Sequence, residues 1–437
     1  MERSKAELGM NQTGDPVREA GELHSVDASP RGPSVHCPRI LSLCCLYPNP
    51  VSPAQGLFVQ RRLQHLSELC DVRVVAPFAV VQYGNPLGKR LRIGKRLCPT
   101  KRWDGKMPVL HPRWLYPPFS GSLIGCWLFL QLIRPLARIR IEFPFEIIDT
   151  HFGHPEGVAG CWLALAFGVP FTMTLRGNEP KHSRSRLERF WMGWAIRRAS
   201  RIFTVSERLR QFAIELGASP GKVKTIPNGV DAQIFWPRDK ERCRRKYGFA
   251  PNGPLIVSAG ALVERKGHHC AIQALKSISS ARGAVQLAIA GGPGPEGQYE
   301  NTLRDLVSRL GLESQVRFLG SMSADALAEV ISASDVLCLA STNEGWPNVV
   351  HEALACGTPV VATNVGAVPE MLDNGRYGII VPVRNQPELE RALEEALQRN
   401  WGRSAIAEWG QSRDWNRVAV EVFDEMRAIV AEKQAIN

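Results

Sequence analysis

The sequence is poor in the features that mark disulfide-stapled, zinc-binding and membrane-spanning proteins. Its 11 cysteines include no CxxC pair and no Cys/His spacing typical of a zinc site. We therefore expect reduced, buried cysteines in a cytoplasmic protein. The longest apolar run, residues 121–133, falls short of the ~20 residues that a membrane-spanning helix needs. Such a run is more typical of a buried or interfacial helix.

An apolar segment is also missing from residues 1–37. They alternate charged residues with glycine and proline, which argues against a signal peptide or an anchor and predicts a mobile tail. Hydrophobic residues make up 44% of the whole chain, so the rest of it can bury a core. At ~100 to 200 residues per domain, 437 residues predict two or three domains.

Acidic residues are the scarcer charge, with 42 Asp and Glu against 54 Lys and Arg. The net charge of +12 favours partners that carry phosphate: nucleic acid, an anionic membrane or a phosphorylated small molecule. No nucleic-acid-reading motif accompanies the basic runs, so we expect no nucleic-acid partner. The basic runs at 89–106 and 176–210 are either solvated faces or a surface for anionic lipid, with residues 114–133 dipping into the membrane interface.

Two series of strand-like and helix-like runs follow one another along the chain. They predict an α/β fold of two doubly wound, Rossmann-like domains that face each other across a cleft. Turn signals at 224–254 mark the connection between them, and a Gly-, Pro- and Lys/Arg-rich stretch at 82–118 is interpreted as a surface excursion. The predicted boundaries are a tail at 1–37, a first domain at 38–235, a linker at 236–254, a second domain at 255–415, and a helix at 416–437 that packs back on the first domain.

The segment EGWPNVVHEALACGTPVV, residues 344–361, keeps two carboxylates in small, apolar surroundings. A strand ends just before it and a helix begins near Pro347, so its first residues form a loop at a strand's carboxyl end. The free N–H groups of the first helical turn, at Asn348 and Val349, suit a phosphate. Glu352 lies one turn further on, where its carboxylate can accept hydrogen bonds from two neighbouring hydroxyls, as on a ribose.

Glu344, in the loop, could bind the hydroxyls of a second ring in the same way. A phosphate between two hydroxylated rings describes a nucleotide sugar. The alternative is purely structural, with Glu344 capping the helix and Glu352 paired with an arginine. From the chemistry of the residues alone, both interpretations stay open.

The same segment resembles the signature of the retaining glycosyltransferases of family four, which have the two-domain GT-B fold. Other segments resemble the family in the expected order, among them YPNPVSPAQGLFVQRRL, VSERLRQFA, KTIPNGVDAQIFWP, VSAGALVERKGHHCAIQAL, IAGGPGPE and VRFLG. The resemblance covers residue 39 to the carboxyl terminus. Within the family, YPNP, DTHFGHPEGVAG and TLRGNE look most like enzymes of teichuronic-acid and exopolysaccharide assembly.

The resemblance implies a role for each residue of a donor site. Glu352 would bind the donor's ribose and Glu344 the hydroxyls of its sugar. Arg265 and Lys266 would neutralise the diphosphate leaving group without a metal. Further donor contacts would come from Gly292, Phe318, Gly345, Trp346, Pro347, Asn348 and Val349. The family usually has an arginine where this chain has Ala261, and we expect Arg265 to compensate.

The remaining candidates lie in the first domain. DTHFGHPEG places His151 and His154 at a strand's carboxyl end, and the resemblance puts His151 beside the donor sugar and phosphate. We expect His154 to face the acceptor, as does Arg176 from the next strand end. Either histidine could instead be a structural hydrogen-bonding residue. Gly56 would allow the backbone to approach the diphosphate closely at the start of the first helix.

The resemblance thus implies a retaining, metal-independent hexosyltransferase that needs no cofactor. It would move sugar from a UDP- or GDP-sugar to a glycan or lipid-linked saccharide in cell-surface or exopolysaccharide biosynthesis. By the same likeness, the leaving phosphate would help to deprotonate the acceptor hydroxyl in a front-face substitution. We expect the enzyme in the cytoplasm, with peripheral contact to the inner face of the plasma membrane. The alternatives are a noncatalytic sugar-nucleotide-binding protein and a GT-B enzyme of other chemistry, such as an epimerase.

Overall fold

Two large β-sheets organise the computed structural model of this protein. The structure describes residues 36–53, 55–79, 81–82, 92–93, 98–115, 121–282, 285–294 and 299–436. Cys37–Asn437 form one compact unit. Nearly all of the predicted tail, and part of the basic run at 89–106, lie outside the described residues. The cysteines are free, and most of them are buried.

Strands are short, as is usual for parallel sheets. They are β1 (Ile40–Leu43), β2 (Val72–Val75), β3 (Phe78–Ala79), β4 (Val81–Gln82), β5 (Arg92–Ile93), β6 (Lys101–Asp104), β7 (Met107–Leu110), β8 (Arg113–Trp114), β9 (Ile147–His151), β10 (Phe171–Leu175), β11 (Arg201–Thr204), β12 (Val223–Thr225), β13 (Leu255–Ala259), β14 (Gln286–Ala290), β15 (Val316–Gly320), β16 (Val336–Leu339), β17 (Val360–Thr363) and β18 (Gly378–Val381).

Helices alternate with these strands in both halves of the chain. They are α1 (Leu57–Leu66), α2 (Ile124–Glu142), α3 (Val158–Phe167), α4 (Glu179–His182), α5 (Arg186–Arg198), α6 (Glu207–Glu215), α7 (Lys240–Tyr247), α8 (His268–Arg282), α9 (Glu300–Leu310), α10 (Ala324–Ala333), α11 (Asn348–Ala355), α12 (Val368–Met371), α13 (Gln386–Gln398), α14 (Arg403–Gln411) and α15 (Trp415–Ile436).

The strand orders are those of two doubly wound sheets. The first has eight strands in the order β12-β11-β10-β9-β1-β2-β7-β6, and the second has six in the order β15-β14-β13-β16-β17-β18. Pairing is parallel throughout the second sheet. In the first sheet it is parallel from β12 to β7, and β6 runs antiparallel to β7. The predicted α/β fold with two Rossmann-like halves is therefore confirmed.

Two stretches that we interpreted as connections contribute strands to the first sheet, so this interpretation is wrong in part. β6 and β7 arise within the supposed surface excursion at 82–118 and extend one edge of the sheet. β12 overlaps the start of the supposed connection at 224–254 and forms the other edge. Edge strands carry charged residues on their solvent side, and the β6 sequence KRWD is mostly exposed. This composition made the edge strands read as loops.

Helix α2 is longer than the apolar run at 121–133 suggested, because it continues through charged residues to Glu142. By length and composition the segment Gly121–Glu142 would be enough to cross a membrane, a test that the core helix of a soluble protein also passes. The expectation of a buried or interfacial helix at this position therefore stays a prediction. One face of α2, including Leu128 and Leu132, is buried against the first sheet. The opposite side exposes Leu130 and Ile141, which are 58% and 85% accessible.

Helix α15 closes the chain against the first sheet's helices. It packs on α1, and Val422, Met426 and Ile429 are buried in the same cluster as Leu63 of α1 and Phe203 of β11. Burying such side chains is worth ~1.5 to 3 kcal/mol each. The last helix thus holds the second half of the chain to the first.

Candidate active site

The predicted donor and acceptor residues lie where the carboxyl edges of the two sheets meet. Glu344 and Gly345 follow β16, while His151 ends β9 and Arg176 follows β10. A Cβ atom added to Gly345 would lie 1.9 Å from the Arg176 carbonyl oxygen, and one on Gly177 would lie 2.6 Å from the Gly345 Cα. Only glycines allow this close approach of backbone to backbone, so a side chain at either position would push the two edges apart.

Lys266, Arg265 and Glu344 lie together at the carboxyl edge of the second sheet. Lys266 Nζ lies 2.6 Å from Glu344 Oε1, and Arg265 Nη1 lies 4.0 Å from the same oxygen. The Ser341 hydroxyl also donates a hydrogen bond to Glu344 Oε1, at 2.8 Å. A backbone hydrogen bond from Thr342 N–H to the Arg265 carbonyl, 2.9 Å long, fixes the cationic turn against the loop after β16. Two cations and a carboxylate therefore share one small region.

Glu344 does not cap the following helix, which removes half of the structural alternative. α11 begins at Asn348, with Pro347 at the N-cap position and no side-chain cap hydrogen bond. The N–H of Val350 donates to the Pro347 carbonyl at 2.9 Å. The earlier N–H groups, at Asn348 and Val349, have no acceptor inside the helix because they belong to its first turn.

Glu352 is a half-buried carboxyl on the same helix. Burial raises its pKa to about 7, against the opposing effect of the Lys266 ammonium. Among the described residues, no arginine forms an ion pair with it, so the other half of the structural alternative is not observed either. A carboxyl with this pKa is only partly ionised near neutral pH, and groups that donate hydrogen bonds to it would favour its charged form.

The other donor candidates of the second half are spread around this centre. Gly292 follows β14, and a Cβ there would lie 2.1 Å from Ser321 Oγ. Phe318 lies in β15, with the Arg304 guanidinium 4.4 Å from its ring centre. The Trp346 side chain instead helps to line a cavity of about 320 Å³ whose lining includes neither Lys266 nor Glu344. Trp346 thus lies in the loop that carries Glu344 but borders a different cavity.

His151 and Arg176 form a buried pair at the edge of the first sheet. His151 is fully buried, and its Nδ1 accepts hydrogen bonds from Arg176 Nε at 3.2 Å and Nη2 at 3.0 Å. Its Nε2 lies 3.2 Å from Asp149 Oδ2. Burial outweighs the attraction of Asp149 and lowers the pKa of His151 to about 4, so the imidazole is neutral at pH 7. The predicted acceptor role of Arg176 suggested a side chain that projects from the strand end. In the structure this side chain is instead buried.

The polar chain continues from Arg176 to the second half of the molecule. Arg176 Nη1 donates to Asn228 Oδ1 at 3.0 Å, and Asn228 Nδ2 donates to Asn348 Oδ1 at 3.0 Å. Burial, with the nearby Arg62 adding to it, lowers the pKa of Arg176 to about 9. An unbroken series of side-chain hydrogen bonds thus connects His151 with the first residue of α11.

Comparison with known proteins identifies the family. The model described as Glycosyltransferase Family 4 matches residues 56–234, and the model described as Glycosyl transferases group 1 matches residues 239–413. A D-inositol 3-phosphate glycosyltransferase of Mycobacteroides abscessus is 30% identical over 306 residues, which cover 67% of this chain and 68% of that protein. The chain belongs to the family 4 glycosyltransferases.

One further relative and one solved structure cover more of the length of this glycosyltransferase. The teichuronic acid biosynthesis glycosyltransferase TuaC of Bacillus subtilis is 26% identical over 375 residues, covering 83% of this chain and 88% of TuaC. The structure of HepE from Anabaena, in complex with UDP, superposes with a TM-score of 0.68 at 20% identity and covers 89% of this chain and 100% of HepE. The predicted GT-B fold is confirmed.

Several polar residues that support this glycosyltransferase's site were missed from the sequence. The Glu179 carboxylate accepts hydrogen bonds from the backbone N–H groups of Gly153 at 3.2 Å, Arg176 at 3.1 Å and Gly177 at 2.7 Å. Asp149 pairs with His151, and Asn228 joins the two halves. Each lies in a segment that the family resemblance had already singled out, DTHFGHPEG, TLRGNE or KTIPNGVD, so the motifs contained the signal. Their partners depend on folding and could not be read from them.

The two remaining candidates occupy specialised backbone positions. Gly56 precedes α1 with φ 73°, and a Cβ there would lie 2.1 Å from the Leu46 carbonyl oxygen. This contact requires glycine whatever binds nearby. His154 is 4% exposed, and its ring centre lies 5.4 Å from that of His182. His154 thus lies apart from the hydrogen-bonded chain that contains His151.

Proposed function

We propose that this glycosyltransferase transfers a sugar, with retention of its anomeric configuration, from a nucleoside-diphosphate sugar to a glycan or lipid-linked saccharide in cell-surface or exopolysaccharide assembly. The grouping of Lys266 with Glu344 beside Glu352 carries this proposal. Cations suited to a diphosphate and carboxylates suited to hydroxyls lie at one strand edge. The likeness to TuaC, a teichuronic acid biosynthesis enzyme by name, supports the class of acceptor.

The donor is a UDP- or GDP-sugar in this proposal. Glu352 binds the ribose and Glu344 the transferred sugar, while Arg265, Lys266 and the N–H groups at the start of α11 bind the diphosphate. Gly56 and the backbone from Gly345 to Val349 line the same groups, and Gly292 and Phe318 flank the base. HepE, whose structures contain UDP and UDP-glucose, makes UDP-sugars the first donors to test. A donor at a hundred times its Kd should stabilise the protein by about 2.7 kcal/mol in a thermal-shift screen.

Donor binding exchanges one partner of Lys266 for another. The ammonium lies against Glu344 in the structure, and the diphosphate competes for it as the donor enters. Glu344 is then released to accept hydrogen bonds from the sugar hydroxyls. As the bond to the leaving phosphate breaks, negative charge grows on the diphosphate, and Arg265 and Lys266 stabilise it without a metal. Chelation with EDTA should therefore leave donor hydrolysis unchanged.

The first half supplies the acceptor side of the reaction. His151 contacts the donor sugar near the reacting carbon, and His154 and Arg176 lie toward the acceptor. Because His151 and Arg176 are buried, substrate can reach them only if the two sheet edges separate first. The leaving phosphate takes the acceptor's proton in a front-face substitution.

Product analysis tests this mechanism directly. With a defined donor and acceptor, NMR of the product should show the donor's anomeric configuration. An inverted product would refute retention while leaving the transferase assignment intact. Glu344→Gln should bind nucleotide but lose donor hydrolysis and transfer. If the parent has no transferase or hydrolase activity with any donor that it binds, the noncatalytic alternative is correct.

We also propose that this enzyme works at the inner face of an anionic membrane. A row of aromatic ring contacts runs from α2 through α3 to α5, with Phe129 6.1 Å from Trp162, Trp162 6.3 Å from Trp191, and Phe190 5.4 Å from Trp191. The first three of these residues are partly buried against the core. Phe190 is 55% exposed. Arg184, Arg186 and Arg189, which shortly precede Phe190 in the sequence, are also exposed. Each cation near an anionic surface adds ~1 kcal/mol of attraction.

Liposome co-sedimentation tests this membrane contact. Binding should increase with the fraction of phosphatidylserine and should fall in a Phe190→Ser, Arg189→Ser double variant. Val420→Ser, which changes a 46% exposed residue on α15, is the matched control and should bind as the parent does. Binding that does not depend on anionic lipid would overturn the proposal.

A further inference from the structure

Three side chains of the kinds that bind metals converge beside the first sheet. His154 lies in the turn Gly153–Gly157 after β9, His182 ends α4, and Glu188 lies in the first turn of α5. One ligand atom from each lies within 4.8 Å of the other two. His182 Nδ1 is 2.8 Å from Glu188 Oε2. The cluster therefore joins three separate segments of the chain.

His154 is the unusual member of this cluster. It is 4% exposed, and within the described part of the chain no hydrogen bond of standard geometry reaches either ring nitrogen, although the Ser122 backbone makes a weaker contact with the ring. Buried polar atoms are almost always satisfied, so an orphaned imidazole indicates a partner that is not part of the protein. One of its ring nitrogens lies within 4.8 Å of ligand atoms of both His182 and Glu188, and a cation held between the three side chains would satisfy it.

We propose that His154, His182 and Glu188 bind one divalent ion of the zinc, cobalt and nickel class. Two imidazoles and one carboxylate are a ligand set that such ions favour, and it leaves one coordination position open. Magnesium and calcium are disfavoured because they prefer oxygen ligands. Nothing in the donor region takes part, since Lys266 and Glu344 belong to the other sheet.

The geometry needs only a small contraction. Metal–ligand bonds of about 2.0 to 2.2 Å in a tetrahedron place the ligand atoms roughly 3.3 Å apart. The ligand atoms in the cluster are no more than 4.8 Å apart. Side-chain movements that bring these atoms about 1.5 Å closer together are therefore sufficient.

The ion would order the segment that carries the acceptor-side residues. The side chains of His182 and Glu188 are 36% and 16% exposed, so the open position can be reached from solvent by water or an oxyanion. His182 shares helix α4 with Glu179, whose carboxylate holds the backbone of Arg176 and Gly177. Binding therefore ties α4 and α5 to the turn after β9.

Cobalt titration of the full-length protein, first stripped with a chelator, tests the proposal. We expect visible d–d absorption that saturates at one equivalent and is displaced by zinc. His182→Gln and Glu188→Gln should each weaken binding by at least the ~10- to 100-fold typical of losing an outer-shell partner. His65→Gln is the matched control, because His65 is a surface histidine hydrogen-bonded to Asn416.

The outcomes separate this site from binding elsewhere. Absence of saturable absorption in the parent would overturn the proposal. So would equal cobalt affinity in the parent and both variants, which would indicate another site such as the exposed Cys37. A zinc-induced rise in melting temperature, seen in the parent and the control but lost in the variants, provides a second readout that does not depend on enzymatic activity.

Discussion

Replacing Glu352 with glutamine should move stability and nucleotide affinity in opposite directions. Burial raises the pKa of this carboxyl from 4.5 to about 7, so the folded protein holds the proton more tightly than the unfolded chain does. The stability that this provides is complete below pH 4.5 and is lost as the pH rises through 7. At 1.36 kcal/mol per pKa unit, the ionised carboxylate destabilises the folded state by about 3 kcal/mol at pH 8.

Glutamine removes that charge. Without nucleotide, Glu352→Gln should therefore raise the free energy of unfolding at pH 8 by up to about 3 kcal/mol, which is a rise of a few degrees in melting temperature. At pH 5 the difference should fall below about 1 kcal/mol, because Glu352 is then protonated in the folded state and only its ionisation in the unfolded chain remains. Glu432→Gln, an exposed change on α15, should have no effect at either pH. Differential scanning fluorimetry measures all three.

Nucleotide affinity should change the other way. A hydrogen bond from a ribose hydroxyl to a carboxylate is worth ~1.5 to 3 kcal/mol, so losing the charge should raise the Kd for nucleoside diphosphate by about 10- to 150-fold at pH 8. For the parent, the same affinity should fall about tenfold from pH 8 to pH 6, as Glu352 becomes protonated. The phosphates of the ligand also titrate, so the ratio of parent to variant Kd isolates Glu352.

Isothermal titration calorimetry at pH 6, 7 and 8 provides these Kd values. The ratio of variant to parent Kd should be largest at pH 8 and about tenfold smaller at pH 6. A variant that is less stable at pH 8 and binds nucleotide as well as the parent would refute the reasoning, because Glu352 would then be a structural residue. Such a result would favour a partner for its carboxylate that the structure does not show.

Three further changes have distinct expected outcomes. Glu344→Gln should lower kcat by about 10²- to 10³-fold in a donor-hydrolysis assay, as for lost transition-state hydrogen bonds, while changing the Kd for free nucleoside diphosphate less than threefold by calorimetry. Gly345→Ala should abolish transfer, because its Cβ would lie 1.9 Å from a backbone oxygen. The control Gly221→Ala has nothing within 4 Å of its Cβ and should transfer sugar normally. Equal activities of the two variants would argue against a requirement for close approach of the two sheet edges. Leu132→Ala, at a fully buried position, should lower the free energy of unfolding in urea by ~2 to 5 kcal/mol. Leu130→Ala, at a position that is 58% exposed, should lower it by under about 0.5 kcal/mol. Similar losses of stability in the two variants would contradict the packing of α2.

The central strands could be predicted from the sequence because both of their faces are buried. Strands β9, β10 and β13 are buried at every position, and the mostly apolar sequence LIVSA of β13 is typical of a strand in a parallel sheet. The edges escaped prediction for the opposite reason. β6 and β12 each have one neighbour and an exposed side, so their residues follow the composition of a surface loop.

Site residues could be placed at strand ends, but their pairing could not. The short segment 344–352 contains most of the predicted donor contacts, and its helix start and loop follow from local rules. By contrast, the hydrogen bonds of Arg176 to His151 and Asn228 join residues 25 and 52 positions apart. The bond between Asn228 and Asn348 spans 120 positions. Such partners are decided by how the two sheets meet, which no local pattern encodes.

The same hydrogen-bond and ion-pair partners explain how charged residues are stable at a buried sheet edge. Burying an isolated charge is costly unless another group compensates for it. Arg176 is compensated by a ring nitrogen and an amide oxygen, and Lys266 by Glu344. Glu352 has no ion-pair partner among the described residues, and its carboxyl is instead neutralised in part by its raised pKa. A donor that offers hydroxyls to Glu352 and phosphate to Lys266 would replace these internal arrangements, so the measured affinity is the difference between two satisfied states. Removing the Glu344 charge should consequently tighten the binding of free nucleoside diphosphate, within the threefold limit given above, and this direction separates competition for Lys266 from simple loss of a contact.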